Sequence, residues 1–143
     1  MIRVIKVYLD ASVIIAALLS PTGGSAKLLE FVKLRVVAGI ASQTVIDEVE
    51  EHSLKIRKSH KEIREFIHEN SIIVRERIDE LELELFRGLI EEEDIHIAVG
   101  AKLTKCDYLV TLDKKHLLKE EVKKILKPLK VVAPKEILQD LIE

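Results

Sequence analysis

The chain has 143 residues, of which 48% are hydrophobic, so wholesale disorder is excluded and one domain with a substantial core is expected over residues 1–143. With 23 basic and 25 acidic residues the net charge is −2, which provides no global attraction for nucleic acid; polyanion binding would need a local basic patch. The single cysteine, Cys106, excludes an internal disulfide and a cysteine-built metal site. The apolar run after Asp10 is far shorter than the ~18 residues a membrane span needs. Lys6 and Asp10 also break the opening apolar stretch, so no secretory leader is expected and the expected location is the cytoplasm. The mix of Lys, Glu and aliphatic residues, with only three Asn and Gln together, resembles proteins of thermophiles.

Val4 to Leu9 is short and β-rich and reads as a strand, and "SVIIAALL" (12–19) reads as a short helix. "SPTGGSA" (20–26) is the strongest turn signal, after which Ser25 is placed to cap a helix through about Arg35 with Leu28, Leu29, Val32 and Phe31 inward. "VVAGIA" (36–41) is a second strand, followed by a helix capped by Ser42 or Thr44 and carrying Val45, Ile46 and Val49. Ser59 and Glu62 form a capping box that opens a helix with Ile63, Phe66 and Ile67 on one face. "SIIVRE" (71–76) is a third strand, and the "DELELELF" run favours helix despite its alternation. A helix from about Asp94 carries Ala98, Gly100 and Ala101, small enough for close approach to a sheet. "YLVTL" (108–112) and "LKVVA" (129–133) are the fourth and fifth strands, and Pro134 starts a last helix. Strands alternating with helices predict an α/β fold, a parallel sheet with helices on both faces.

Within this pattern two carboxylates interrupt apolar sequence. Asp10 lies in "VYLDASVI" and Asp113 in "LVTLDKKH", each at the carboxyl end of a predicted strand, where open parallel sheets bind ligands. Glu48 sits on an apolar-flanked helix in "SQTVIDEVEEH", and Asp94 begins the helix of "EEEDIHIAVGAK". Each acid alone also suits a helix cap, a dipole partner or a surface ion pair. Their recurrence in order favours a shared site.

The stretches "YLDASVIIAALL", "SQTVIDEVEE", "DIHIAVGAK", "DYLVTLDKKHLL" and "VVAPKEILQ" together resemble the PIN-domain family, a ribonuclease fold that includes VapC-like toxins. The resemblance implies a three-layer α/β/α sandwich with about five parallel strands in the order 3-2-1-4-5. Position by position, Asp10, Glu48, Asp94 and Asp113 match the family's catalytic, metal-binding acids, with Asp47 a neighbouring candidate for the helix acid. Ser12 and Thr111 match its small hydroxyl positions and are expected to orient the carboxylates. The implied cofactor is Mg²⁺ or Mn²⁺, and the implied activity is metal-dependent endoribonuclease cleavage by the toxin of a toxin–antitoxin pair. Implied partners are RNA, a cognate antitoxin protein and a second copy of the chain.

The chemistry suits the residues. Mg²⁺ takes oxygen ligands at ~2.1 Å, usually from a few carboxylates while keeping several waters. Acids crowded together repel one another, so at least one should hold a proton near neutrality until a cation relieves the conflict. Lys114 and Lys115 border Asp113 and are the expected substrate contacts, whereas Lys55, Arg57, Lys58 and Lys61 read as a solvated face. His96 and His116 fall near the site, with packing or solvent exposure as their default, and Cys106 reads as a small core residue. A haloacid dehalogenase-like phosphatase needs Asp-x-Asp where this chain has Asp10-Ala11-Ser12. The remaining alternative is a catalytically inert PIN-fold module for RNA binding or protein interaction, whose mark would be a lost acid.

Overall fold

The computed structural model describes residues 3–142. Its centre is a parallel sheet of five strands, β1 (Lys6–Leu9), β2 (Ala38–Ser42), β3 (Ile73–Arg75), β4 (Tyr108–Val110) and β5 (Lys130–Val132), in the order 3-2-1-4-5. The helices are α1 (Ala11–Leu19), α2 (Gly24–Lys33), α3 (Gln43–Glu51), α4 (Ser53–Ile56), α5 (His60–Glu69), α6 (Glu80–Leu83), α7 (Ile95–Leu103), α8 (Glu120–Leu126) and α9 (Pro134–Ile142). Among the described residues no single helix is long and apolar enough to cross a membrane.

The two faces of the sheet can be told apart from register and glycine. Val7 pairs with Gly39 and Tyr8 with Ile40, and successive strand residues point to opposite faces. A Cβ on Gly39 would lie 2.6 Å from a Val32 methyl, so α2 presses against that face. On the other face a Cβ on Gly100 would lie 2.1 Å from the Tyr8 hydroxyl, so α7 rests on β1 there with no room for a side chain. Layers of helix, sheet and helix follow, as expected for an all-parallel sheet, and the central strands β1 and β4 are the most deeply buried. Val7, Leu9, Leu109 and Val110 have no solvent exposure at all.

Local side-chain caps explain the starts of α3, α5 and α6. Ser42 caps α3 by accepting from the Val45 N–H at 3.2 Å, while the Thr44 hydroxyl accepts from Ile78 N–H at 2.9 Å and ties the segment after β3 back to α3. The Ser59–Glu62 capping box of α5 is present in both directions, and a second one between Asp79 and Glu82 starts α6. The "DELELELF" run is helical, as α6 followed by a 3-10 turn over Glu84–Phe86.

Three sequence expectations need correction. Ser25 does not cap α2; Gly23 occupies that position and Ser25 is buried in the first turn. The second strand starts at Ala38 and not at Val36, because Val36 sits in the turn that follows α2, where Arg35 has positive φ, and stays half exposed. The short helices α4 and α8 were not foreseen, since a single turn or two of helix leaves almost no periodic pattern to read.

Gly100 generates a test of the α7 packing. In a helix interior alanine is normally favoured over glycine by about 1 kcal/mol. Here the added methyl meets the fully buried Tyr8 ring and hydroxyl. Gly100→Ala is therefore expected to destabilise the fold by about 1–3 kcal/mol, the usual cost of overpacking. Urea unfolding of both proteins measures it, and a stabilised variant would contradict the packing described.

Candidate metal centre

Asp10 follows β1 directly, and its backbone N–H continues the ladder to the Val110 carbonyl at 3.1 Å. It is the N-terminal boundary residue of α1, yet its side chain makes no cap hydrogen bond to that helix. Instead Oδ2 accepts from the Ser12 hydroxyl at 2.8 Å and from the Thr111 hydroxyl at 2.7 Å. Those hydroxyls accept in turn from the loop after β4: Leu112 N–H bonds Ser12 Oγ at 3.1 Å and Asp113 N–H bonds Thr111 Oγ1 at 3.0 Å. The chain of bonds locks the exit of β1 to the exit of β4. Asp10 is only 7% exposed, and burial pushes its pKa up against the two hydroxyl bonds, with the Glu48 charge adding to the rise.

Asp113 divides its two oxygens between roles. Oδ1 accepts from the backbone N–H groups of Lys115 and His116, both at 3.2 Å, which folds the following loop into a turn. The bland reading of Asp113 as a local cap thus holds for one oxygen. Oδ2 faces the His116 ring, 3.3 Å from Nδ1.

Asp94 closes the 3-10 turn Glu92–Asp94 that leads into α7, and it makes no cap bond to that helix either. Its Oδ2 is buried, has no hydrogen-bond partner and lies 3.9 Å from His116 Nδ1. Burial is the main reason its pKa is pushed up to about 6, with the charges of Asp113 and Asp10 next. Donor atoms of Asp94, Asp113 and His116 all fall within 4.8 Å of one another, a spacing able to hold a cation.

Glu48 stands at the rim, on α3. Its Oε1 is 2.9 Å from His96 Nε2 on α7, while His96 Nδ1 is buried without a partner. That pattern places the ring proton on Nε2, donating to Glu48. Asp47 points elsewhere: Gln43 donates to it at 3.0 Å and Arg77 Nε at 2.7 Å, and this pairing holds its pKa below the usual range.

The four expected acids are therefore unequal. Asp94 and Asp113 form the tight cluster, Asp10 is bonded to the same loop and electrostatically coupled to Asp94, and Glu48 reaches the group through its charge on Asp10. Lys114 and Lys115 are exposed on the loop just after Asp113. Cys106 is half-buried beside the Thr104 hydroxyl, at 3.2 Å, and burial raises its thiol pKa. Both histidines face acids of the group, His96 facing Glu48 and His116 facing Asp113 and Asp94. For His116 the signal was present in its spacing, three residues beyond Asp113 on a turn.

The residues fit a divalent cation. A buried carboxylate oxygen without a partner, whose pKa is raised by burial and by neighbouring acids, is a suitable ligand for a hard cation. The sequence pattern described as a PIN domain matches residues 6–115, and the chain belongs to the PIN-domain family. No curated protein sequence matches it. Among solved structures, a chain of the Rickettsia felis VapBC2 complex, crystallised with a DNA fragment from its promoter, has a similar fold at 16% identity and a TM-score of 0.64, covering 90% of this chain and 98% of that one. Mycobacterium tuberculosis VapC20, a toxin that cleaves the sarcin–ricin loop, is similar at 12% identity and a TM-score of 0.53, over 76% of this chain and 91% of its own.

Two measurements follow from this geometry. Because the folded Asp94 pKa of about 6 lies above the ordinary aspartate value of 3.8, its contribution favours the fold below pH ~4 and is lost as pH rises through ~6. In chelator, Asp94→Asn should thus be more stable than wild type by about 1–3 kcal/mol at pH 7.5, with the gain shrinking towards pH 4. Thermal unfolding at both pH values reads this, and a gain that is larger at pH 4 would refute the buried-acid account. Separately, Glu48→Gln should weaken Mn²⁺ binding in titration calorimetry while Asp47→Asn leaves it unchanged; the reverse order would move the site to Asp47.

Proposed function

We propose that the protein is a metal-dependent endoribonuclease that hydrolyses RNA phosphodiester bonds, with Asp10, Glu48, Asp94 and Asp113 as its acidic centre for Mg²⁺ or Mn²⁺. The observation that carries this reading is the crowding of acids at the carboxyl end of the sheet, where Asp94 Oδ2 is buried and unpartnered and feels the charges of Asp113 and Asp10. A bound divalent ion would supply charge neutralisation at a phosphate and would acidify water. The chain's own residues do the rest. Ser12 and Thr111 hold the Asp10 carboxylate in one orientation through Oδ2, leaving Oδ1 without either hydroxyl bond. His96 fixes Glu48 at the rim. Lys114 and Lys115, exposed beside Asp113, would contact the phosphates that flank a scissile bond.

RNA is favoured as substrate by family membership together with the activity of VapC20 on the sarcin–ricin loop. The likeness to a VapBC2 chain supports the role of toxin in a toxin–antitoxin pair, with an antitoxin protein as the partner. On this reading residues 1–143 are one PIN-like domain acting in the cytoplasm, with a second copy of the chain as a further partner that the family resemblance implies.

Incubation of the purified protein with mixed RNAs should give cleavage that requires Mg²⁺ or Mn²⁺ and stops with chelator. Asp10→Ala and Asp113→Ala should abolish it with far-UV circular dichroism unchanged, and Thr111→Val should lower it by about 10–100-fold, the usual effect of removing a partner of a metal-binding carboxylate. Undiminished cleavage by either folded alanine variant would reject the reading and leave the inert-module alternative or an unrelated nuclease site.

A further inference from the structure

We propose that His116 contributes its Nδ1 as a ligand to the cation held by Asp94 and Asp113, and that this nitrogen makes the centre select Mn²⁺ over Mg²⁺. The inference rests on the reading of the acids as a divalent-cation centre and adds to it a donor of different chemistry.

Three observations support it. The first is distance. Two ligands ~2.1 Å from a shared ion lie about 3.0 Å apart at a right angle and about 3.4 Å apart at a tetrahedral one. His116 Nδ1 is 3.3 Å from Asp113 Oδ2, within that range, and 3.9 Å from Asp94 Oδ2, which a small ring rotation would close. A charge-assisted hydrogen bond between imidazole and carboxylate is shorter, about 2.7–2.9 Å. The second is the state of Asp94. Its Oδ2 is buried, has no hydrogen-bond partner and lies 3.9 Å from the same Nδ1, so a cation shared with His116 would satisfy it.

The third is preorganisation. Asp113 Oδ1 holds the His116 backbone N–H at 3.2 Å, Leu118 N–H bonds the Asp113 carbonyl at 3.0 Å, and the intervening Leu117 is 1% exposed. The turn is anchored on both sides of the histidine, so the ring starts beside the carboxylates and little entropy is lost in binding. Its remaining exposure, 36% of the side chain, leaves the ion accessible to substrate.

The consequence is selectivity. Mg²⁺ is bound through oxygen and dehydrates reluctantly, whereas first-row transition ions accept imidazole readily. A nitrogen donor in an otherwise carboxylate site therefore shifts preference away from Mg²⁺.

The test loads wild-type protein with Mn²⁺ at fixed neutral pH and records pulsed electron paramagnetic resonance together with calorimetric affinities for Mn²⁺ and Mg²⁺. A nitrogen-14 coupling typical of a directly bound imidazole is expected in wild type and in His96→Gln, and is expected to vanish in His116→Gln. The Mn²⁺-to-Mg²⁺ affinity ratio should fall by at least about tenfold in His116→Gln, the lower end of what perturbing a metal ligand's surroundings costs. His116→Asp, which returns an oxygen donor, should bind Mg²⁺ more tightly than wild type and guards against a glutamine variant that folds poorly. Mn²⁺ bound to wild type with no nitrogen coupling, or a coupling that persists in both His116 variants, would overturn this inference while leaving the carboxylate centre intact. Failure of wild type to bind Mn²⁺ at all would overturn the centre and the inference together.

Discussion

The carboxylate of Asp10 sits where two parallel strands leave the sheet, almost without solvent, and takes hydrogen bonds from Ser12 and Thr111 on one oxygen. The other features of the site depend on that arrangement. The hydroxyl of Thr111 also receives the Asp113 N–H, and the hydroxyl of Ser12 receives Leu112 N–H, so the loop carrying Asp113 is positioned by the same two side chains that hold Asp10. A charge is costly at such a position unless its hydrogen bonds are supplied, and here they come from groups that simultaneously define the loop. Burying the acid and shaping the site are one physical event.

The arrangement sets stability against chemistry. Asp10 and Asp94 both have raised pKa values, chiefly because burial disfavours their charge and secondarily because each feels other acids. A fold under selection for stability alone would not gather carboxylates at one edge of a sheet. Their presence together there is a physical argument for a cation, and it is independent of family resemblance. The rest of the fold tolerates the cost because the strands beneath are fully enclosed between helices, with α7 brought onto β1 by the absence of a side chain at Gly100.

The comparison of histidines shows what a one-dimensional reading overlooks. His96 and His116 are the fourth and fifth histidines of the chain and form no ligand motif with each other. In space they serve different acids: His96 lies on α7 against Glu48 of α3, and His116 on a turn against Asp113 and Asp94. The pairing of His96 with Glu48 spans 48 positions and has no sequence signature. Asp47 and Glu48 posed the opposite problem, since both fit the same motif. Helical rotation separates them, and Arg77, arriving from the segment after β3, takes Asp47 as its partner.

By itself the sequence determined the alternation of strand and helix, the inward faces carrying residues such as Leu28, Leu29 and Ile63, the capping box at Ser59, and the set of acids at strand and helix ends. These are local matters: periodicity, propensity and the need of each helix end for a hydrogen-bond partner act over a few residues and leave their mark there. Short elements such as α4 and α8, and the shift of β2 to Ala38, were decided by packing that such windows do not contain. Only the tertiary structure decided which acids share a space. The crossover that lays β4 beside β1 brings Thr111 to Asp10 across 101 positions, and the turn held by Asp113 sets His116 against Asp94. Charge interactions of this kind depend on distance and burial, and neither is written along the chain.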